Sequence, residues 1–123
     1  MIDKEPPFIF QTKDRDGRLI SCSCKRWLDH ICDPFEGHEY LLDSQEDIQE
    51  FIQAIQNKDE INGILIDRDY NNRLIYLQKS KRGNYYNRVV VEFDDSSFTG
   101  DGFVVTAFQP VNMRDGDKPL WKK

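Results

Sequence analysis

Four short runs of apolar and β-branched residues dominate the second half of the chain, and they constrain the fold more than any other feature. The runs are Gly63–Asp67, Arg73–Lys79, Tyr85–Phe93 and Gly102–Phe108. Turn-forming residues separate the first three runs, at Asp69–Asn72 and Ser80–Asn84. Because strands joined by short links pair with their neighbours along the chain, this pattern predicts a four-stranded antiparallel sheet.

Side chains alternate between the two faces of a strand, so the sequence also predicts which residues share a face. In the third strand, one face is predicted to carry Tyr85, Asn87, Val89, Val91 and Phe93, and the other Tyr86, Arg88, Val90 and Glu92. In the fourth strand, Phe103, Val105 and Ala107 are expected opposite Val104, Thr106 and Phe108. Thr106 is the lone hydroxyl of that otherwise apolar strand.

The N-terminal part of the chain predicts a hairpin followed by a short helix. Two extended runs, Phe8–Thr12 and Arg18–Cys22, flank Asp14–Gly17, whose Asp-Gly pair favours a tight turn. The residues from Lys25 to Cys32 are then predicted to form two helical turns, which Pro34 ends.

The clearest helix begins after Ser44, a good N-cap residue. An apolar stripe follows at helical spacing, formed by Ile48, Phe51, Ile52 and Ile55. The opposite side is predicted to be an acidic, solvated face made of Glu46, Gln49, Glu50, Gln53 and Gln56. This helix is therefore expected to cover the sheet without forming the active surface.

Length and composition indicate a single α+β domain over residues 1–123, with helices packed on the four-stranded sheet. We expect residues 1–25 to form a hairpin extension and residues 26–123 the core. No apolar run reaches the roughly 18 residues that span a bilayer, and Met1–Pro7 has no secretory pattern. These features predict a cytoplasmic protein without a membrane partner, or one that another component delivers to a target cytoplasm.

The net charge of −5 is unevenly distributed along the chain. Residues 33–69 hold 11 acidic and two basic residues, a charge of −9. Residues 70–92 hold five basic residues and one acidic residue, a charge of +4. A polyanion would therefore favour the middle strands and be repelled by the acidic segment.

The two histidines, His30 and His38, are the side chains whose ordinary pKa lies near neutrality. Metal-free cleavage of RNA by its own 2′-hydroxyl needs a base, an acid and a cation near the phosphate. Either histidine suits the first roles, and Arg73, Lys79 or Arg82 suits the cation. Thr106 could hold a phosphate oxygen. The alternative for each is structural: a satisfied helix histidine, an ordinary strand threonine and a solvated basic face.

The cysteines Cys22, Cys24 and Cys32 predict neither a disulfide framework nor a metal site. Their number is odd, and their spacing relative to the histidines matches none of the usual zinc patterns. No glycine-rich turn joins a strand to a helix, so phosphate-loop and dinucleotide fingerprints are absent from the sequence. We therefore expect no metal and no cofactor.

The order of these parts resembles the phage-associated branch of the barnase–EndoU–colicin–RelE superfamily of small metal-independent ribonucleases and toxins. The resemblance runs from about Trp27 to Trp121 and is carried by short motifs in a fixed order. These are His30-Ile31, His38-Glu-Tyr-Leu41, the helix ending in Ile55 to Ile61, Arg73-Leu-Ile-Tyr76, Tyr86-Asn-Arg-Val-Val-Val91, Phe103-Val-Val-Thr-Ala-Phe108 and Leu120-Trp121.

The resemblance implies a ribonuclease or ribonuclease-like toxin that cleaves RNA by transesterification. It would make His30 or His38 the acid–base group, Thr106 the strand hydroxyl, and Arg73 or Lys79 the phosphate contact. We expect Arg82, Tyr86 and Arg88, from the same basic stretch, to complete the substrate-binding set. The expected partners are RNA and a cognate protein inhibitor or toxin partner.

A rival interpretation is a non-enzymatic acidic binding protein, of the antitoxin or immunity type. The charge of −9 over residues 33–69 favours it, because such a surface mimics nucleic acid and attracts a basic partner. A third is a catalytically inactive relative of the nuclease fold, since one fold hosts many activities.

Overall fold

A computed structural model describes residues 8–27, 45–57, 63–80, 82–110 and 118–119. They form an α+β fold whose mostly antiparallel sheet has the strand order β1-β2-β6-β5-β4-β3-β7. The elements are β1 (Phe8–Lys13), β2 (Leu19–Ser23), α1 (Cys24–Arg26), α2 (Gln45–Gln56), β3 (Ile64–Ile66), β4 (Arg73–Lys79), β5 (Tyr86–Glu92), β6 (Gly102–Phe108) and β7 (Lys118–Pro119). No helix within these ranges is long and apolar enough to cross a membrane.

The predicted meander is present as β3 to β6, in which each strand pairs antiparallel with the next. The sheet is larger than the four strands expected, because the hairpin joins it. β2 pairs in parallel with β6, with Ile20 opposite Gly102, and β7 pairs with β3 at the other side. Both additions satisfy backbone groups that would otherwise be unpaired along the edges of the meander.

The hairpin turn forms as the Asp-Gly pair predicts. The Asp14 carboxylate accepts hydrogen bonds from the backbone N–H groups of Asp16 and Arg18, each at 2.9 Å. Gly17 adopts a φ of +87°, a conformation that glycine tolerates without a steric penalty. Arg18 also forms an ion pair with Asp14 at 2.8 Å. These bonds fix the end of the hairpin.

Helix α2 packs its apolar stripe onto the sheet and ends at a buried asparagine. Ile48, Phe51 and Ile55 are buried, as the periodicity predicts. Asn57 follows the last helical residue with a φ of +52°, the left-handed conformation that commonly ends a helix. Its side-chain amide donates to the carbonyl oxygens of Ala54, Gly63 and Leu77, and so ties the helix end to the sheet.

The two faces of the sheet have different neighbours. The face against α2 supplies the main core, which includes Ile64, Leu74, Tyr76, Val89, Val91, Val104 and Ala107. We call the opposite side the far face. It carries Arg73, Ile75, Leu77 and Lys79 of β4, Tyr86, Arg88, Val90 and Glu92 of β5, and Phe103, Thr106 and Phe108 of β6.

A bulge in β6 changes the predicted alternation of that strand. Val91 pairs with Val104, but Val90 pairs with Thr106, so Val105 is an extra residue with no partner of its own. Val104 and Ala107 consequently share the face toward α2. The expectation that Phe103 and Thr106 lie on opposite faces is wrong, because the extra residue shifts the period-two pattern.

The sheet curls toward α2. Asp14 directly follows β1, and β1 lies four strand positions from β4, about 19 Å in a flat sheet. The Tyr76 hydroxyl of β4 nevertheless donates to Asp14 Oδ2 at 2.7 Å. Since a tyrosine side chain cannot bridge such a gap, the hairpin must fold back over the face that α2 covers.

Candidate functional site

The far face brings together five of the eight residues predicted for a nuclease site. Arg73 and Lys79 lie at the two ends of β4, and Lys79 pairs with Tyr86 of β5. Arg88 pairs with Phe108, and Thr106 pairs with Val90. Arg88 and Thr106 are therefore diagonal neighbours on adjacent strands, with backbones roughly 7 Å apart.

The middle of the far face is buried. Ile75 is fully buried, and Leu77 and Val90 are nearly so. Arg88 is only 2% exposed, and its guanidinium carbon lies 5.8 Å from the centre of the Phe108 ring. Thr106 is partly buried, whereas Lys79 is exposed. The centre of the far face is thus closed to solvent, and among its predicted site residues Lys79 is the exposed one within the described ranges.

Arg73 is held in place by two neighbours. Its Nη2 lies 3.2 Å from Glu92 Oε1, which pairs with it across the strands. Its guanidinium carbon lies 3.9 Å from the centre of the Tyr70 ring. A cation fixed by a carboxylate and an aromatic face is positioned, but much of its charge is balanced by Glu92.

Arg82 lies away from the far face, against the N-terminal half of α2. It forms ion pairs with Glu46 at 2.9 Å, with Glu50 at 3.0 Å and with Asp47. The hydrogen bonds and charges of Glu50 and the charge of Asp47 raise the pKa of Arg82 above its ordinary value. Arg82 therefore serves in the structure to join the β4–β5 turn to α2.

Glu50 is the centre of this polar cluster. It accepts hydrogen bonds from Ser80 Oγ at 2.7 Å, Arg82 Nη2 at 3.0 Å and the Tyr85 hydroxyl at 3.2 Å. Burial by itself would raise the pKa of Glu50, but the bonds from Arg82 and Ser80 and the charge of Arg82 outweigh it, so the pKa is lowered. The carboxylate stays ionised at neutral pH.

The polar side of α2 is accordingly not a uniformly solvated acidic face. Glu50 and Asp47 are each 8% exposed, whereas the side chain of Glu46 is 78% exposed. Asp47 also accepts from Gln109 Nε2 at 2.7 Å. The prediction of a solvated face is wrong for Glu50, because the side chains of Arg82, Ser80 and Tyr85 contact it.

The two predicted acid–base residues, His30 and His38, lie outside the described residues, and so does Cys32. Cys22 is buried in the core and Cys24 is partly exposed. Across the described ranges, no group of three or more histidine, cysteine or carboxylate side chains is arranged to hold a metal ion.

Two exposed aromatic residues were not predicted from the sequence. They lie at the end of the far face where the β3–β4 and β5–β6 links are found. Tyr70 and Phe103 are the large hydrophobic side chains that the described residues expose, at 51% and 54%. A tyrosine among polar residues in the β3–β4 link was the available signal for the first. Phe103 was not identified because regular alternation, without the bulge, places it on the opposite face from Thr106.

Comparison of the chain with protein-family models, with curated proteins and with solved structures finds no match. The resemblance to the nuclease superfamily therefore stays a prediction from sequence motifs. The geometry and charge of the described residues are therefore the observations that bear on the function of the chain.

Proposed function

We propose that the chain is a metal-independent ribonuclease that cleaves RNA by attack of the 2′-hydroxyl on the adjacent phosphorus atom. The observation that supports it is the shared far face of one hydroxyl and three cations: Thr106, Arg73, Lys79 and Arg88. Tyr86 adds a phenol beside Lys79 on that face.

The chemistry needs two proton transfers and charge stabilisation. A base takes the proton of the 2′-hydroxyl while its oxygen bonds to phosphorus. The bond from phosphorus to the 5′-oxygen breaks, and an acid protonates that oxygen, which leaves a 2′,3′-cyclic phosphate. His30 and His38 are proposed for these transfers. Arg73 or Lys79, at the two ends of β4, offsets the negative charge that develops on the phosphoryl oxygens, and the Thr106 hydroxyl donates to one of those oxygens.

Incubation of purified protein with end-labelled RNA in EDTA tests the proposal. We expect cleavage to products ending in 2′,3′-cyclic phosphate. Thr106→Val keeps the side-chain shape and removes the hydroxyl, so it should lower the rate about a hundredfold. Thr99→Val, at an exposed loop position, is the matched control and should cleave normally. His30→Ala and His38→Ala separate the roles of the two histidines.

Intact RNA under all of these conditions would contradict the proposal. RNA that is bound on the far face without being cleaved would then indicate an inactive relative of the nuclease fold. Failure to bind RNA, together with salt-sensitive binding of a basic protein, would favour the acidic binding protein.

A further inference from the structure

Tyr70 and Phe103 lie at the same end of the far face, and the ion pair between Arg73 and Glu92 lies between them. Phe103 pairs with Glu92, whose carboxylate contacts Arg73 at 3.2 Å. The Arg73 guanidinium in turn lies 3.9 Å from the Tyr70 ring. We call these four side chains the loop-end strip. It contains both large hydrophobic side chains that the described residues expose.

The loop before β4 lines an open pocket of about 500 Å³ that includes Tyr70 of the strip, and its lining suits a cation. The lining residues are Ile66, Asp67, Arg68, Asp69, Tyr70, Asn71 and Asn72. They supply two carboxylates, two amides and an aromatic ring against one basic residue, Arg68, which lies 3.7 Å from Asp69. Carboxylates and an aromatic face are the groups that hold a lysine ammonium or an arginine guanidinium.

The neighbouring link between β5 and β6 adds negative charge to this end of the sheet. Its carboxylates Asp94, Asp95 and Asp101 are all exposed. They flank β6 just before Phe103 and repel phosphate groups, while they attract a basic surface. Charge complementarity at the loop-end strip therefore favours a basic protein over a nucleic acid.

We propose that the loop-end strip and the adjoining pocket form a docking surface for a protein partner that presents a basic side chain next to an apolar one. The basic side chain would enter the pocket beside Tyr70 and Asp69, and the apolar one would cover Phe103. Tyrosine and arginine at an apolar centre, with charged residues around them, are the composition of a binding hot spot. The surface goes beyond the proposed ribonuclease function. It shares Arg73 with the proposed substrate-binding residues, but it uses neither Thr106 nor the histidines.

Calorimetric titration of the full chain with a synthetic peptide of alternating lysine and leucine residues tests the proposal. A peptide with glutamate in place of lysine is the matched probe and should not bind. Tyr70→Ala, Asp69→Asn and Phe103→Ser should each weaken binding about tenfold. Tyr70→Phe keeps the ring and should bind like the unmodified chain. Circular dichroism confirms that each variant is folded.

Glu46→Gln provides the control for charge, because it removes an exposed carboxylate from α2, whose side chain is 78% exposed against 54% for Asp69. It should leave the affinity within about twofold of the original. Equal weakening by Glu46→Gln and Asp69→Asn would overturn the proposal, since it would indicate attraction to net charge alone. Displacement of the peptide by single-stranded RNA would also overturn it, in favour of nucleic acid at this end. Neither result depends on whether the chain cleaves RNA.

Discussion

The hydroxyl of Tyr76 donates to the carboxylate of Asp14 at 2.7 Å, and this bond closes the curl of the sheet over α2. The Asp14 side chain is fully buried, and it also pairs with Arg18. Burial, together with the charge of Asp14 and its hydrogen bond, raises the pKa of Tyr76 far above its ordinary value. The phenol therefore remains a donor throughout the physiological pH range.

Replacement of Tyr76 by phenylalanine removes that donor with little change in shape. Because the acceptor is a buried carboxylate, we expect the free energy of unfolding to fall by about 2 kcal/mol. Urea denaturation measures the change. Tyr70→Phe, at a half-exposed tyrosine, should leave the denaturation midpoint unchanged. Equal midpoints for Tyr76→Phe and the unmodified chain would show that the bond adds nothing to stability.

The lowered pKa of Glu50 predicts an acid-dependent loss of stability. Its ordinary value is 4.5, and the folded state holds it lower, so its contribution is fully present above about pH 5. That contribution is lost as the pH falls from 4.5 through the lowered pKa. Glu50→Gln should flatten the fall in unfolding free energy over this range, whereas Glu46→Gln should retain it. Parallel pH profiles for Glu50→Gln and the unmodified chain would contradict the assignment.

Asn57 and Gly63 form a close contact, so substitutions at these two positions should destabilise the fold to different extents. A Cβ atom at Gly63 would lie 2.7 Å from the Leu77 carbonyl oxygen and still closer to the Asn57 side chain, so Gly63→Ala should destabilise the fold. Asn57→Asp should cost about 3 kcal/mol or more, because a buried carboxylate would face three carbonyl oxygens. Asn57→Gly keeps the left-handed conformation and should cost less. Thermal unfolding ranks the three variants.

Lys79 offers a test of RNA binding that leaves the fold intact, because its side chain is exposed. If it contacts phosphate, Lys79→Gln should weaken binding of single-stranded RNA and reduce the slope of log affinity against log salt by about 0.7. Lys25→Gln, on the exposed surface of α1, should leave that slope unchanged. Identical slopes for all three proteins would exclude Lys79 from the binding surface. All three proteins carry Thr106→Val, which should slow cleavage about a hundredfold during the measurement.

The strands and the main helix were predictable because local pattern determines them. The predicted shared face of Val89 and Val91, and the stripe through Ile48, Phe51 and Ile55, match residues of the main core. The Asp-Gly turn likewise depends on neighbouring residues alone. The residues at these positions either contact partners close in sequence or bury a single face. The local sequence is therefore sufficient to predict their secondary structure.

The bulge at Val105 and the joining of the hairpin to β6 were not predictable in this way. Both depend on which strands lie side by side, and a valine within an apolar run gives no sign that it will be unpaired. The burial of Glu50 depends on Arg82, 32 positions later, and on Ser80. From local composition alone, such a carboxylate is predicted to be exposed to solvent. The positions of His30 and His38 lie outside the described residues and remain predictions.

The parallel pairing of β2 with β6 has a consequence for synthesis of the chain in the cell. Ile20 leaves the ribosome long before Gly102, its partner, has been translated. β2 therefore cannot pair with β6 until most of the chain has been translated. Contacts between such distant segments also form slowly. A nascent chain therefore lacks a complete far face, and with it the surface proposed for RNA cleavage, until β6 has been translated.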